Sequence, residues 1–405
     1  VPYRHGARDD IAMDPLTRLA FWFAVAAALC AVLLGLMRRT GFMMHVLDRP
    51  NARSMHSRPI PRVGGLPLLI AGWGLAAIAA PDGPALSAAF SVPLVLLMLV
   101  GGLDDRIGLA ALPRILVQFA CAAPLAASWS LRVAEQAPAG LLFALASLLA
   151  VLAIIAVTWA INLYNFMDGS DALAGLMTAI GFGALALASP DAPLGLSAAC
   201  VAGAALGFLV HNRPPARVFL GDLGSTALGF LAAALAFEGM VAGHWPFWFP
   251  GIVFMPFWLD ATLTLLRRAL AGKRLSEAHR DHAYQRLALA GAGHAGTAIA
   301  PSAIGRSFPD LRDCWDNHAP SLRLRLDPGA LPYLGRRLNS PPMPPSLSHR
   351  RLIALAYDLA VVALAWWTSY YVAFGMTLPA EARFEMLRTF PVVAAIQIGC
   401  FAFFR

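Results

Sequence analysis

Between residues 162 and 171 the chain reads NLYNFMDGSD, which sets Asn162, Asn165, Asp168 and Asp171 at intervals of three just after a long apolar run. On a helix this spacing puts two amides and two carboxylates on one face, until Gly169 permits a break. Oxygen-bearing side chains grouped in this way suit Mg²⁺, a hydroxylated ring or the edge of a base. So close to a hydrocarbon core they are costly unless they have partners or work to do. Four further clusters carry related chemistry. DRPNARSMHSRPIPRVGG, residues 48–65, is cationic and ends in Arg62, Gly64 and Gly65, where paired glycines let backbone N–H groups approach a phosphate. GGLDDR supplies Asp104 and Asp105. VFLGDLGS puts Asp222 at the start of a predicted helix, whose free N–H groups and dipole favour an anion. AHRDHAYQRL brings His279, Arg280 and His282. Carboxylates for a divalent ion, a cationic loop and glycine turns are what phosphoryl transfer requires, because there the protein mainly positions groups and neutralises charge.

The elements that must position these groups are membrane helices. The chain is 59% hydrophobic and only 13% charged, with a positive mean hydropathy, which marks an integral membrane protein. Apolar runs at 19–37, 66–80, 86–101, 114–128, 141–163, 172–189, 194–211, 223–241 and 246–266 predict an all-α polytopic transmembrane bundle. About nine helices form the main body, some of them short or broken, and about two more follow near the C-terminus. Frequent Gly and Ala within the runs permit close helix packing in lipid. One set of alternate loops carries nearly all the basic residues, from Arg38 and Arg39 through Arg62, Arg106, Arg213 and Arg217 to Arg267, Arg268 and Lys273. The opposite links carry only Arg132, so the basic set is assigned to the cytoplasm. All five polar clusters then fall on the cytoplasmic face, as one active site roofing the bundle. The chain divides into an extracytoplasmic tail (1–18), a polytopic domain (19–294), a Pro- and Arg-containing linker (295–349) and a two-span, truncated segment (350–405).

Other classes fit less well. The net charge of +8 reflects positive loops and not nucleic-acid binding. Cys30, Cys121, Cys200 and Cys400 lie in apolar runs as small core residues, with no disulfide framework or metal spacing. A secondary transporter would place polar groups at the midplane, whereas these carboxylates sit at helix mouths. A CDP-alcohol type of phosphotransferase would concentrate its aspartates in one or two helices, and here they are spread over five loops.

In order and in type, the five motifs resemble the polyprenyl-phosphate N-acetylhexosamine-1-phosphate transferases over residues 45–294. PIPRVGG is more similar to members that initiate O-antigen-like polysaccharides than to the peptidoglycan translocase. The resemblance implies a bacterial inner-membrane enzyme with a cytoplasmic site. It would transfer N-acetylhexosamine-1-phosphate, or a 6-deoxy relative, from a UDP-sugar to undecaprenyl phosphate and release UMP. It implies Mg²⁺ as cofactor, with Mn²⁺ as the alternative ion, and undecaprenyl phosphate, a UDP-N-acetylhexosamine and membrane lipid as partners. Asp222 becomes the leading metal ligand, and Asp104 and Asp105 match an aspartate pair that binds metal or handles the lipid phosphate. Asn162, Asn165, Asp168 and Asp171 hold nucleotide and metal shell, with Asp168, Asp171 and Asp105 also as ligands. Arg62, Gly64, Gly65, His279, Arg280 and His282 bind substrate, with Arg280 as the charge clamp.

Two departures stand out. Ala172 occupies a position where many members have a second glycine. After His294 the chain becomes polar and proline-rich, before apolar runs at 352–375 and 390–404 that resemble the membrane anchor of nucleotide-sugar dehydratase/epimerase proteins. The expectation is a fusion of neighbouring pathway steps or a fragment, an inactive relic being the alternative. A homodimer and a functional link to such a dehydratase/epimerase are compatible with the resemblance.

Overall fold

Apolar segments can satisfy their backbone groups within hydrocarbon only as helices or closed barrels. The computed structural model, which describes residues 13–40, 47–48, 59–135, 142–273, 281–282 and 285, takes the helical solution. Helix α1 (Pro15–Arg39) is capped by Asp14, whose carboxylate accepts from Thr17 N at 3.0 Å. A two-residue antiparallel ladder follows, β1 (Leu47–Asp48) against β2 (Ile60–Pro61), with Leu47 opposite Pro61. Next comes one short rod made of α2 (Gly65–Leu69), a π-helical turn at Ile70–Gly74 and α3 (Leu75–Ala79). The long helices are α4 (Ala88–Ile107), α5 (Ala111–Ala134), α6 (Leu142–Met167), α7 (Leu173–Ala188), α8 (Pro193–Asn212) and α9 (Gly221–Val241). The last predicted run is broken at Phe254 into α10 (Trp248–Val253) and α11 (Met255–Leu270).

Among the described residues the apolar runs of the main body are helical, and six helices are long and apolar enough to cross a membrane: α1, α4, α5, α6, α8 and α9. The protein is a polytopic helical membrane protein. Its inner pair is α8 and α9, whose apolar stretches are 83% and 72% buried, against 22% for α1 and 28% for each of α4, α5 and α6. Lipid tails are as apolar as leucine, so helices associate in a bilayer largely through close backbone approach. Gly203 and Gly207, one turn apart on α8, show this against α1: an added Cβ would lie 2.1 Å from Phe23 O and 2.2 Å from Ala27 O. Even alanine would force the pair apart.

At the end of the bundle remote from the motifs, Arg132 donates twice to Glu238, at 3.1 and 2.7 Å, and Trp129 Nε1 donates to the same carboxylate at 2.7 Å. The lone arginine of the opposite links is thus neutralised by α9.

Every described residue belongs to one compact unit. The linker and the C-terminal spans expected from the sequence, as well as His279 and Arg280, lie outside the described residues.

Candidate active site

The site is built around the start of α9. Its first residue, Gly221, has φ +76°, and an added Cβ would fall 2.7 Å from Arg62 O and 2.8 Å from Asp105 Oδ2. Gly64 N donates to Phe219 O and Gly65 N to Leu220 O, both at 2.9 Å, while Phe219 N donates to Pro61 O at 2.8 Å. The expectation that Gly64 and Gly65 offer their N–H groups to a phosphate is therefore corrected, because both are committed to the strand of chain leading into α9. What the glycines provide is proximity: a Cβ on Gly65 would stand 2.3 Å from Gly224 Cα. Arg62 arrives beside the site through this zipped contact.

The anion that α9 accepts is also internal. Asp105, at the end of α4, takes a hydrogen bond from Leu223 N at 3.1 Å and another from the Asp222 backbone, so a carboxylate of the protein satisfies the helix terminus. Its second oxygen, Oδ1, is buried without a hydrogen bond and faces the Arg62 guanidinium at 3.8 Å.

Asp104 has a different task. One oxygen accepts from Leu109 N at 2.6 Å where α4 ends at left-handed Gly108, and the other is ion-paired with Arg114 of α5. Arg114 also lies 3.8 Å from Asp222 Oδ2. Asn165 donates to Asp222 Oδ1 at 2.9 Å and to the buried Ser225 hydroxyl at 3.1 Å, which fixes the rotamer of both partners. Among these carboxylates the Asp222 side chain is the open one, 29% exposed against 8% for Asp104 and 3% for Asp105.

The third motif does not present four groups on one helical face. Helix α6 ends at Met167, and only Asn162 and Asn165 are on it. Asn162 turns sideways, donating to Gln118 Oε1 at 2.7 Å and to Thr158 O at 2.8 Å. Asp168, just past the helix, lies with Asp222 and Asp105. Burial, then the like charges of those two, push its carboxyl well above the ordinary carboxylate range, with Arg62 opposing. Asp171 is buried and accepts from Ala216 N at 2.9 Å, so it holds the loop after α8. Beside it Ala172, in left-handed conformation with φ +64°, donates its N–H to Asn212 Oδ1 at 2.9 Å. Asn212 in turn donates to Val218 O at 2.8 Å, tying the third motif to the segment that enters the fourth.

His282 is buried, with Nδ1 3.8 Å from Asp260 Oδ1 and its ring 6.3 Å from that of Phe166 in the third motif. Three residues absent from the sequence reading thus belong to the site or its supports: Arg114, Asn212 and Asp260. Arg114 and Asp260 carried a readable signal, a charge opening one apolar run and a charge inside another. Asp260 also qualifies the expectation that carboxylates avoid span interiors.

The donors fit Mg²⁺ in their chemistry. Asp222 is open, Asp105 keeps an unbonded buried oxygen, and Asp168 is crowded by like charge that a cation would relieve. Among the described residues no group of three His, Cys, Asp or Glu side chains is arranged to enclose an ion.

Compared with known proteins, residues 87–240 match the family model described as Glycosyl transferase family 4. The chain is 31% identical over 323 residues to a decaprenyl-phosphate N-acetylglucosaminephosphotransferase of Mycolicibacterium smegmatis, covering 71% of this chain and 79% of the relative. It is 28% identical over 312 residues to a probable undecaprenyl-phosphate N-acetylglucosaminyl 1-phosphate transferase of Bacillus subtilis, covering 73% and 84%. A phospho-N-acetylmuramoyl-pentapeptide-transferase of Synechococcus is 34% identical over 251 residues, covering 57% and 71%.

Proposed function

The chain belongs to glycosyl transferase family 4, whose matched members move a sugar phosphate onto a polyprenyl phosphate, and from that premise we propose the reaction in finer detail. The donor is a UDP-N-acetylhexosamine or a 6-deoxy relative, the acceptor is undecaprenyl phosphate, and the product initiates an O-antigen-like envelope polysaccharide at the cytoplasmic face of a bacterial inner membrane. The observation that carries this reading is the convergence of Asp105, Asp168 and Asp222, from three separate motifs, beside Arg62 and Arg114.

An oxygen of the acceptor phosphate attacks the sugar-linked phosphorus of the donor. The bond from that phosphorus to the bridging oxygen breaks, and UMP departs with the electron pair. No general base is required, because the acceptor phosphate is already largely ionised near neutral pH. Asp222 would hold Mg²⁺, with Asp168 or Asp105 as a second carboxylate, and the ion would supply charge neutralisation on the diphosphate. Asn165 fixes the Asp222 carboxylate, and Arg114 and Arg62 counter the charge of the incoming anions. A lipid reactant also suits the surroundings. An apolar groove between α4 and α5, lined by Val92, Pro93, Leu96, Val117 and Pro124, shares Val100 with the small cavity that contains Asp104 and Arg114.

Purified protein with undecaprenyl phosphate and Mg²⁺ is expected to release UMP from a UDP-N-acetylhexosamine, and Asp222→Ala to abolish the release. Failure with UDP-GlcNAc, UDP-GalNAc and their 6-deoxy relatives would sink the reaction. Full turnover in Asp222→Ala would move the metal to Asp168 and Asp105.

A further inference from the structure

Helix α11 carries a polar stripe on an otherwise packed face. Asp260, Thr264 and Arg268 follow one another at intervals of four and are exposed by only 2%, 6% and 6%. A buried carboxylate and guanidinium are costly unless well paired. These two stand two turns apart, about 12 Å along the axis, too far to serve each other directly. Each instead meets one of two consecutive residues of the fifth motif. Arg268 is ion-paired with Asp281, which Lys273 approaches at 4.0 Å, and Asp260 Oδ1 lies 3.8 Å from His282 Nδ1. Thr264 donates to the same Asp260 oxygen at 3.1 Å, which holds that carboxylate on its rotamer. The imidazole so placed lies against Phe166, between Asn165 and Asp168 in sequence.

We propose that this stripe is the template on which the fifth motif is seated, with Asp260 a positioning residue that acts through His282 on the diphosphate of the nucleotide sugar. The seating stands on geometry alone, while the substrate that His282 meets rests on the transferase reading. At 3.8 Å the carboxylate is beyond hydrogen-bond length from Nδ1 and orients the ring by its charge.

The test uses the full chain in detergent. Asp260→Asn keeps shape and removes charge, and is expected to raise KM for the UDP-sugar about fivefold or more while leaving KM for undecaprenyl phosphate near its wild-type value. The double variant Asp260→Asn with His282→Gln should be no worse than His282→Gln alone, since one residue acts through the other. Additive losses, or equal changes in both KM values, would overturn the positioning role. If Asp260→Asn does not fold, Thr264→Val should give a smaller change of the same direction, and an unchanged KM there counts against the proposal. A second readout needs no activity: trypsin cleavage at Arg280 and Arg286 should be several-fold faster in Asp260→Asn and Arg268→Gln. Cleavage at the wild-type rate in both would overturn the template, whereas a wild type inactive with every donor would overturn only the transferase reading.

Discussion

Asp168 illustrates how a residue can be right in type and yet hard to place from its neighbours in sequence. Its carboxyl is raised by burial and by the charges of Asp222 and Asp105, which come from distant motifs. In metal-free protein the folded state therefore holds a proton that the unfolded state has already released. Stability contributed by this group should fall as pH rises from about 4, the ordinary carboxylate value, through its elevated folded value. Asp168→Asn should then be more stable than wild type at the alkaline end in EDTA, with the difference vanishing near the acidic end. Thermal unfolding across pH would show this, and added Mg²⁺ should stabilise wild type more than the variant. A variant that tracks the wild type at every pH would remove the charge crowding from the account. Residue types at Asp104, Asp105 and Asp222 were legible because aspartates at helix mouths are conspicuous. Their division of labour was not, because it depends on which backbone N–H each carboxylate meets. Asp171 engaged with Ala216 and Asp105 engaged with α9 show the difference.

At the scale of elements, helices followed directly from apolar runs, since hydrocarbon leaves the backbone little choice. Ends were harder: α4 continues past its apolar run through Asp104 and Asp105, and α6 stops before Asp168. The start of α7 is the least comfortable junction. Ala172 is the one non-glycine residue with positive φ among the described residues, a conformation that costs an L-residue about 1–2 kcal/mol. Glycine relieves that strain but loses about 0.5–1 kcal/mol of chain entropy on folding. Ala172→Gly should therefore stabilise the protein by roughly 0.5–1 kcal/mol and keep the hydrogen bond to Asn212. A higher unfolding midpoint in detergent is the expected result, and a lower one would mean that the alanine methyl contributes packing that outweighs the strain. The ladder of β1 and β2, two residues on each side, left no periodic trace and could only be seen in three dimensions.

The described parts of the five motifs mark one end of the bundle, and the Arg132–Glu238 pair joins α5 to α9 at the other. This division into a chemical end and a structural end was readable from the uneven distribution of charge, whereas the rank of each helix within the bundle was not, because hydropathy does not follow enclosure: α1 is more apolar than the enclosed α9. Burial separates them: α8 and α9 are enclosed, and α1, α4, α5 and α6 are not. The consequence reaches beyond catalysis to the way the protein meets its solvent. A photoreactive probe dissolved in the bilayer should tag α1, α4, α5 and α6 heavily and leave peptides from α8 and α9 nearly blank, even though α8 and α9 are also long and apolar enough to span. Heavy labelling of α8 would mean that the enclosure is open in the membrane. The two helices that carry the closest packing are thus the ones the lipid scarcely touches.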